Sequence, residues 1–177
     1  MKKALVLAMV MALGISTVGF AADKAVDKAA ADKAAADKAA YNAKVMAQEY
    51  FSADKLITLN KTKVAGGNGV LYGKFSFTRD MASKENAIKE IGFMTLQPGA
   101  SIGVHKHYNN EDAYIVLEGT GVFTELNGKE TRVKPHDITI CHIGQVHALR
   151  NDGKKHLVFL DIIAQNHAAT PAPQDKK

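Results

Sequence analysis

From Leu56 to Ala164 the chain consists of short apolar runs separated by turn residues, and no stretch of that span repeats apolar residues at helical spacing. The candidate strands are 56–59, 70–77, 88–96, 113–118, 122–126, 129–133, 138–141, 146–150 and 157–164. Asn127-Gly128 between two of them is a two-residue hairpin signal. Pro98-Gly99 and Asn151-Asp152-Gly153 mark further turns. About nine short strands with no helical pattern between them describe an all-β sandwich or barrel. Gly66-Gly67-Asn68-Gly69 reads as a loop and not as a phosphate cradle, because no helix follows it.

Before the strands the composition is different. The first residues, MKKALVLAMVMALGISTVGFAADK, join two lysines to an apolar stretch and small residues at Gly19 and Ala21. This is the pattern of a secretory signal, residues 1–21, cleaved after Ala21 and leading to a periplasmic or secreted protein. The rival reading is a membrane anchor. Ala4 to Phe20 is 17 residues, at the short end for a span, and Gly14, Ser16, Thr17 and Gly19 weaken it as one. Residues 22–50 begin with a tract in which Asp-Lys recurs among alanines, a composition that favours helix. Lys28 with Asp32 and Lys33 with Asp37 fall four apart, but the five-residue period builds no apolar stripe. The segment is expected to be a solvated helical spacer or a frayed tail. Residues 51–165 are expected to form the β domain and 166–177 a flexible tail.

Charge narrows the partners. Without Lys2 and Lys3 the 23 basic residues become 21, against 18 acidic, a net charge of +3. These charges are spread along the chain, so neither nucleic acid nor an anionic membrane surface is implied. Cys141 is the only cysteine, so no intrachain disulfide can form. It sits in an apolar run and reads as a small buried side chain.

The stretch from Gly99 to Gly119 carries the chemistry. His105 and His107 are two apart on an extended segment and so share a face. The polar turn Tyr108-Asn109-Asn110 then leads to Glu111 and Asp112. Imidazoles and a carboxylate in this arrangement suit a divalent metal. Alone, His-x-His can also be chance on a polar strand end.

A second stretch, His136 to Asn151, adds His142, His147 and Asn151. Together the two resemble the paired motifs of the cupin family. In the first, Gly99, His105, His107, Asp112 and Gly119 stand at the family spacing, with Asp in place of Glu; in the second, Gly144, His147 and Asn151 are in register, while His136 and His142 replace a Gly and a Pro. The resemblance covers about residues 55–164. It implies a double-stranded β-helix, the jelly-roll barrel of the cupins, and one divalent ion (Fe, Mn, Ni or Zn) held by His105, His107, Asp112 and His147, with Glu111 as the alternative carboxylate. His136 and His142 are expected at the periphery, His156 and His167 on the surface, and Tyr114 or Glu118 as candidate pocket bases. The resemblance also implies a small-molecule ligand and a homodimer. It leaves open an enzyme of dioxygenase, isomerase, lyase or decarboxylase type and a binding module without turnover.

Overall fold

The computed structural model describes residues 18–165, with side chains from residue 26 onward. The signal residues 1–17, the tail 166–177 and His167 lie outside the described residues. The chain divides into two compact units, one ending at Tyr41 and one beginning at Asn42. A helix, α1 (Val18–Met46), carries the Ala/Asp/Lys repeat, and the i,i+4 pairs Lys28–Asp32 and Lys33–Asp37 close at 2.6 and 2.7 Å on its exposed surface. Expected to reach about Tyr50, the helix stops earlier. Gln48 N donates to Val45 O, tightening the last turn, and the chain bends away after the buried Val45. None of the described helices is long and apolar enough to cross a membrane.

Ten strands follow: β1 (Ile57–Thr62), β2 (Val70–Phe77), β3 (Ile88–Leu96), β4 (Ser101–Lys106), β5 (Asn110–Glu118), β6 (Gly121–Thr124), β7 (Glu130–Val133), β8 (Ile138–Cys141), β9 (Val146–Arg150) and β10 (Leu157–Gln165). The strand missing from the sequence-based set is β4, whose apolar content, Ile102 and Val104, is too sparse to stand out as a run. The strands pair antiparallel into a six-stranded sheet, β1-β2-β3-β10-β5-β8, and a four-stranded sheet, β4-β9-β6-β7. This is the expected double-stranded β-helix. The Asn127-Gly128 turn is longer than a two-residue loop. Gly128 N donates to Glu125 O and Glu125 N to Lys129 O, so a turn over 125–128 ends on Gly128 at φ +78°.

Between the sheets lies a core of Leu71, Phe75, Leu96, Val116, Leu149 and Phe159 with their neighbours. Gly73 and Gly92 face it because the Phe75 ring occupies the space their side chains would need; a Cβ on either would meet that ring at 2.2 and 2.4 Å. Gly119 is required for another reason. Its φ is +78°, and a Cβ there would meet His156 O at 2.1 Å.

Asn151 ties three segments together. Its Nδ2 donates to Leu96 O and Lys155 O, its Oδ1 accepts from Gly153 N, and its backbone exchanges bonds with Gly99 and Ala100. These bonds fix the ends of β3 and β9 against the start of β4, the strand that carries His105.

Candidate metal centre

His105 and His147 are direct cross-strand partners in the β4–β9 ladder, and His107 follows the end of β4. The backbone holds His107 there, its N–H donating to Gln145 O and its carbonyl accepting from Gly144 N. Asp112 reaches the same point from β5 in the opposite sheet, so the cluster spans the barrel interior. Strand alternation sets the inward face of β5: Asp112, Tyr114 and Val116 are buried, whereas Glu111 is turned outward, its carboxylate against His142 Nδ1 at 2.9 Å. His136, His142, His156 and Glu118 are all exposed and stand apart from the cluster. Cys141 is buried opposite Asp112, its thiol pushed up to about 11 by burial and by the Asp112 charge.

One ligand atom from each of His105, His107, Asp112 and His147 lies within 4.8 Å of the others. The Nε2 atoms of His107 and His105 are each 3.0 Å from His147 Nε2, and Asp112 Oδ2 is 3.4 Å from both His107 Nε2 and His147 Nε2. Donors about 2.1 Å from one ion sit about 3.0 Å apart at right angles and about 3.4 Å apart at tetrahedral angles. The observed separations are those edges. The shorter Asp therefore spans the distance itself, and the bridging water that its missing methylene suggested is not required.

Second contacts set which ring nitrogens point inward. His105 Nδ1 donates to Gly103 O at 2.9 Å, and His107 Nδ1 to Asn110 Oδ1 at 2.6 Å. With the protons held there, both Nε2 atoms present lone pairs to the centre. Burial holds His105 at about 4, and lowers His107 too, against the opposing hydrogen bonds. Both rings are therefore neutral at pH 7, the form that binds metal. Tyr114 stacks on His147 with ring centroids 5.0 Å apart and planes 20° from parallel. Asp112 Oδ1 and His147 Nδ1 are buried without a hydrogen-bond partner. Converging lone pairs, neutral rings and a buried carboxylate fit a divalent ion, and no cation among the described side chains neutralises the group directly.

Behind the cluster lies a second set of polar residues with no counterpart in the sequence reading. Lys61, Arg79, His105, Asp112, Tyr114 and Asp161 line a cavity of about 30 Å³. Burial, with the Asp112 charge next, raises Asp161 well above the usual carboxylate range. Burial also works to raise Asp112, but the hydrogen bond and charge of His147 and the bond from Asp161 outweigh it, leaving Asp112 lowered. The proton of the pair thus sits on Asp161. Tyr114 is raised well above its ordinary value by burial and then by these acids. It is a proton holder in the pocket and not a ready base. Arg79 uses its Nε on the buried Glu90 at 3.1 Å. The sequence signal for this set is a single acid inside an otherwise apolar run, Asp161 in LVFLDIIA and Glu90 in IKEIGF.

Residues 92–163 match the family described as Cupin domain. Over 102 residues the chain is 37% identical to an oxalate-binding protein of Thermotoga maritima, covering 58% of this chain and 82% of that one. The chain belongs to the cupin family. A crystal structure of a predicted oxalate decarboxylase from Thermotoga maritima superposes with TM-score 0.60 at 27% identity, covering 66% of this cupin and 99% of that chain. A Klebsiella pneumoniae protein with a double-stranded β-helix domain shares the fold at TM-score 0.50 and 24% identity, over 72% of this cupin and 99% of that chain.

Proposed function

We propose that this cupin holds one divalent ion on His105, His107, Asp112 and His147 and uses it to bind a small carboxylated or oxygenated molecule. The observation that carries the reading is the convergence of three imidazole Nε2 atoms and one carboxylate oxygen, with two tautomers fixed from outside by Gly103 and Asn110. Four protein ligands leave an octahedral ion open positions, and an ion there would polarise a bound oxygen. The chain's own residues supply the rest: Arg79 and Lys61 bring positive charge to the cavity beside the cluster, and Tyr114 a hydroxyl. A guanidinium fork is a carboxylate-recognising group. The oxalate-binding relative supports this ligand class.

Turnover on that ligand, of decarboxylase, dioxygenase, lyase or isomerase type, is the enzyme reading, and the protonated Asp161 and Tyr114 are the proton donors within reach of it. The second reading, binding without turnover, is favoured by the name of the same relative. Metal analysis of protein purified from its own cells, followed by calorimetric titration with oxalate, tests the proposal: about one ion per chain and binding that disappears on chelation are expected. Metal-free protein, or binding indifferent to chelation, defeats it. Product formation from oxalate separates the two readings.

The same proposal takes the protein as exported, with a mature chain beginning at Ala22, and as a homodimer. N-terminal sequencing of the exported protein checks the first; retention of Met1 in a membrane fraction contradicts it.

A further inference from the structure

The outer face of the six-stranded sheet lacks the alternation of a sheet with one wet side. An antiparallel sheet facing water reads apolar inward and polar outward. In β3, β10, β5 and β8 the inward residues form the core and the outward ones are apolar too. The register aligns them into two rows, Phe93–Leu160–Ile115–Ile138 and Ile91–Ile162–Ala113–Ile140. No charge interrupts either row, and Phe93, Ile138 and Ile140 are 46, 63 and 49% exposed. Lys74 on β2 and Glu111 on β5 bound the patch.

The two ends of the first row differ in shape. At the β3 end, Phe51, Leu56, Phe93 and Leu160 line an apolar cavity of about 390 Å³. At the β8 end Ile138 projects into solvent. We infer that a second copy of this chain covers the face, packed sheet against sheet about a two-fold axis running along the strands between β10 and β5. That operation places β8 of each copy over β3 of the other and seats Ile138 in the cavity beside Phe93, twice, as an isologous contact requires. Face-packed sheets sit about 10 Å apart, which suits side chains of this size. Four strands about 4.8 Å apart and rows about 6.7 Å apart give a patch of roughly 20 by 20 Å. With side-chain relief and a polar rim this approaches the ~800 Å² per partner of a standard interface. A nucleic acid or charged peptide would find no counter-charge on these rows.

The inference specifies the paired state proposed above and does not depend on the metal, whose content reports separately on the site. Light scattering of the full chain at tens of micromolar should give twice the chain mass. Ile138→Glu should raise the dimer dissociation constant at least 100-fold while leaving thermal midpoint and metal content unchanged. Ile140→Lys provides a second variant should the first fold poorly. Val104→Glu, at a position equally exposed on the other sheet, should leave the mass unchanged. A monomeric wild type, a dimer that survives both Ile138→Glu and Ile140→Lys, or equal disruption by Val104→Glu would each overturn the assignment.

Discussion

His147 Nε2 lies 3.0 Å from His105 Nε2, the two rings facing each other across directly paired positions of β4 and β9. Two neutral imidazoles that point the same type of nitrogen at each other can share at most one proton, and the His105 proton is already committed to Gly103 O. Their contact makes sense as two arms of one ligand set, completed by His107 and by Asp112 from the facing sheet.

Removal of any arm should therefore be felt as lost metal affinity. His147→Ala and Asp112→Ala are expected to weaken binding at least 100-fold, because each removes a donor and leaves buried partners unpaired. His142→Ala and Glu111→Ala, which break only the exposed pair on the outer side of β5, should change it less than about threefold. Competition titration with a chromogenic chelator makes the comparison, and a loss confined to the Glu111 variant would reverse the choice of carboxylate.

Acid should destabilise the metal-free protein in a defined window. The folded state holds His105 at about 4 against an ordinary 6.5, through burial first, and His107 is lowered in the same direction. A depressed folded value means that the unfolded chain takes up protons first, so stability is fully present above pH 6.5 and is lost as pH falls toward 4. Urea midpoints of chelated protein should drop between pH 7 and 4.5, and His105→Asn should flatten that slope.

Much of this was legible in the sequence because it follows from period and spacing. The strand runs, the turns at Gly99 and Gly128, and the placing of Asp112 inward with Tyr114 and Val116 all depend on strand alternation, which sequence displays. What was hidden depends on tertiary register. Asp161, Arg79 and Lys61 come from three separate strands or loops, and only the pairing of β10 with β5 brings Asp161 opposite Tyr114. The apolar outer face was written in the runs AYIVL and LVFLDIIA, which are too continuous for a sheet wet on one side, but those runs alone do not say which face needs covering. Asn110 looked like turn filler, since the proton it fixes on His107 is a matter of side-chain direction.

Asn151 is a structural residue within the second motif. It is fully buried, and its amide serves Leu96 O and Lys155 O, which no other described side chain reaches. Asn151→Ala leaves two buried carbonyls unpaired at about 1–3 kcal/mol each. A loss of roughly 2–4 kcal/mol in chemical denaturation is expected, with metal still bound by the fraction that remains folded. Asn151→Asp should be no rescue, since a carboxylate cannot donate to either carbonyl.

Asn110 offers the most discriminating test of how the centre is set. Its Oδ1 accepts from His107 Nδ1 at 2.6 Å, which holds the ring in the tautomer whose Nε2 faces Asp112 and His147. Without that acceptor the ring can rotate, or move its proton to Nε2, and each change withdraws a lone pair from the centre. Outer partners of metal-binding histidines contribute about 10–100-fold in affinity, so Asn110→Ala should weaken metal binding within that range without touching a ligand. Asn110→Asp keeps an acceptor at the same reach and adds charge that makes the ring more basic, so it should restore the affinity. A purely packing role for Asn110 predicts the opposite order: Asn110→Leu would then bind metal as well as wild type, and Asn110→Asp would bind worse. Chelator competition on the three variants, with folding checked by circular dichroism, distinguishes the two roles.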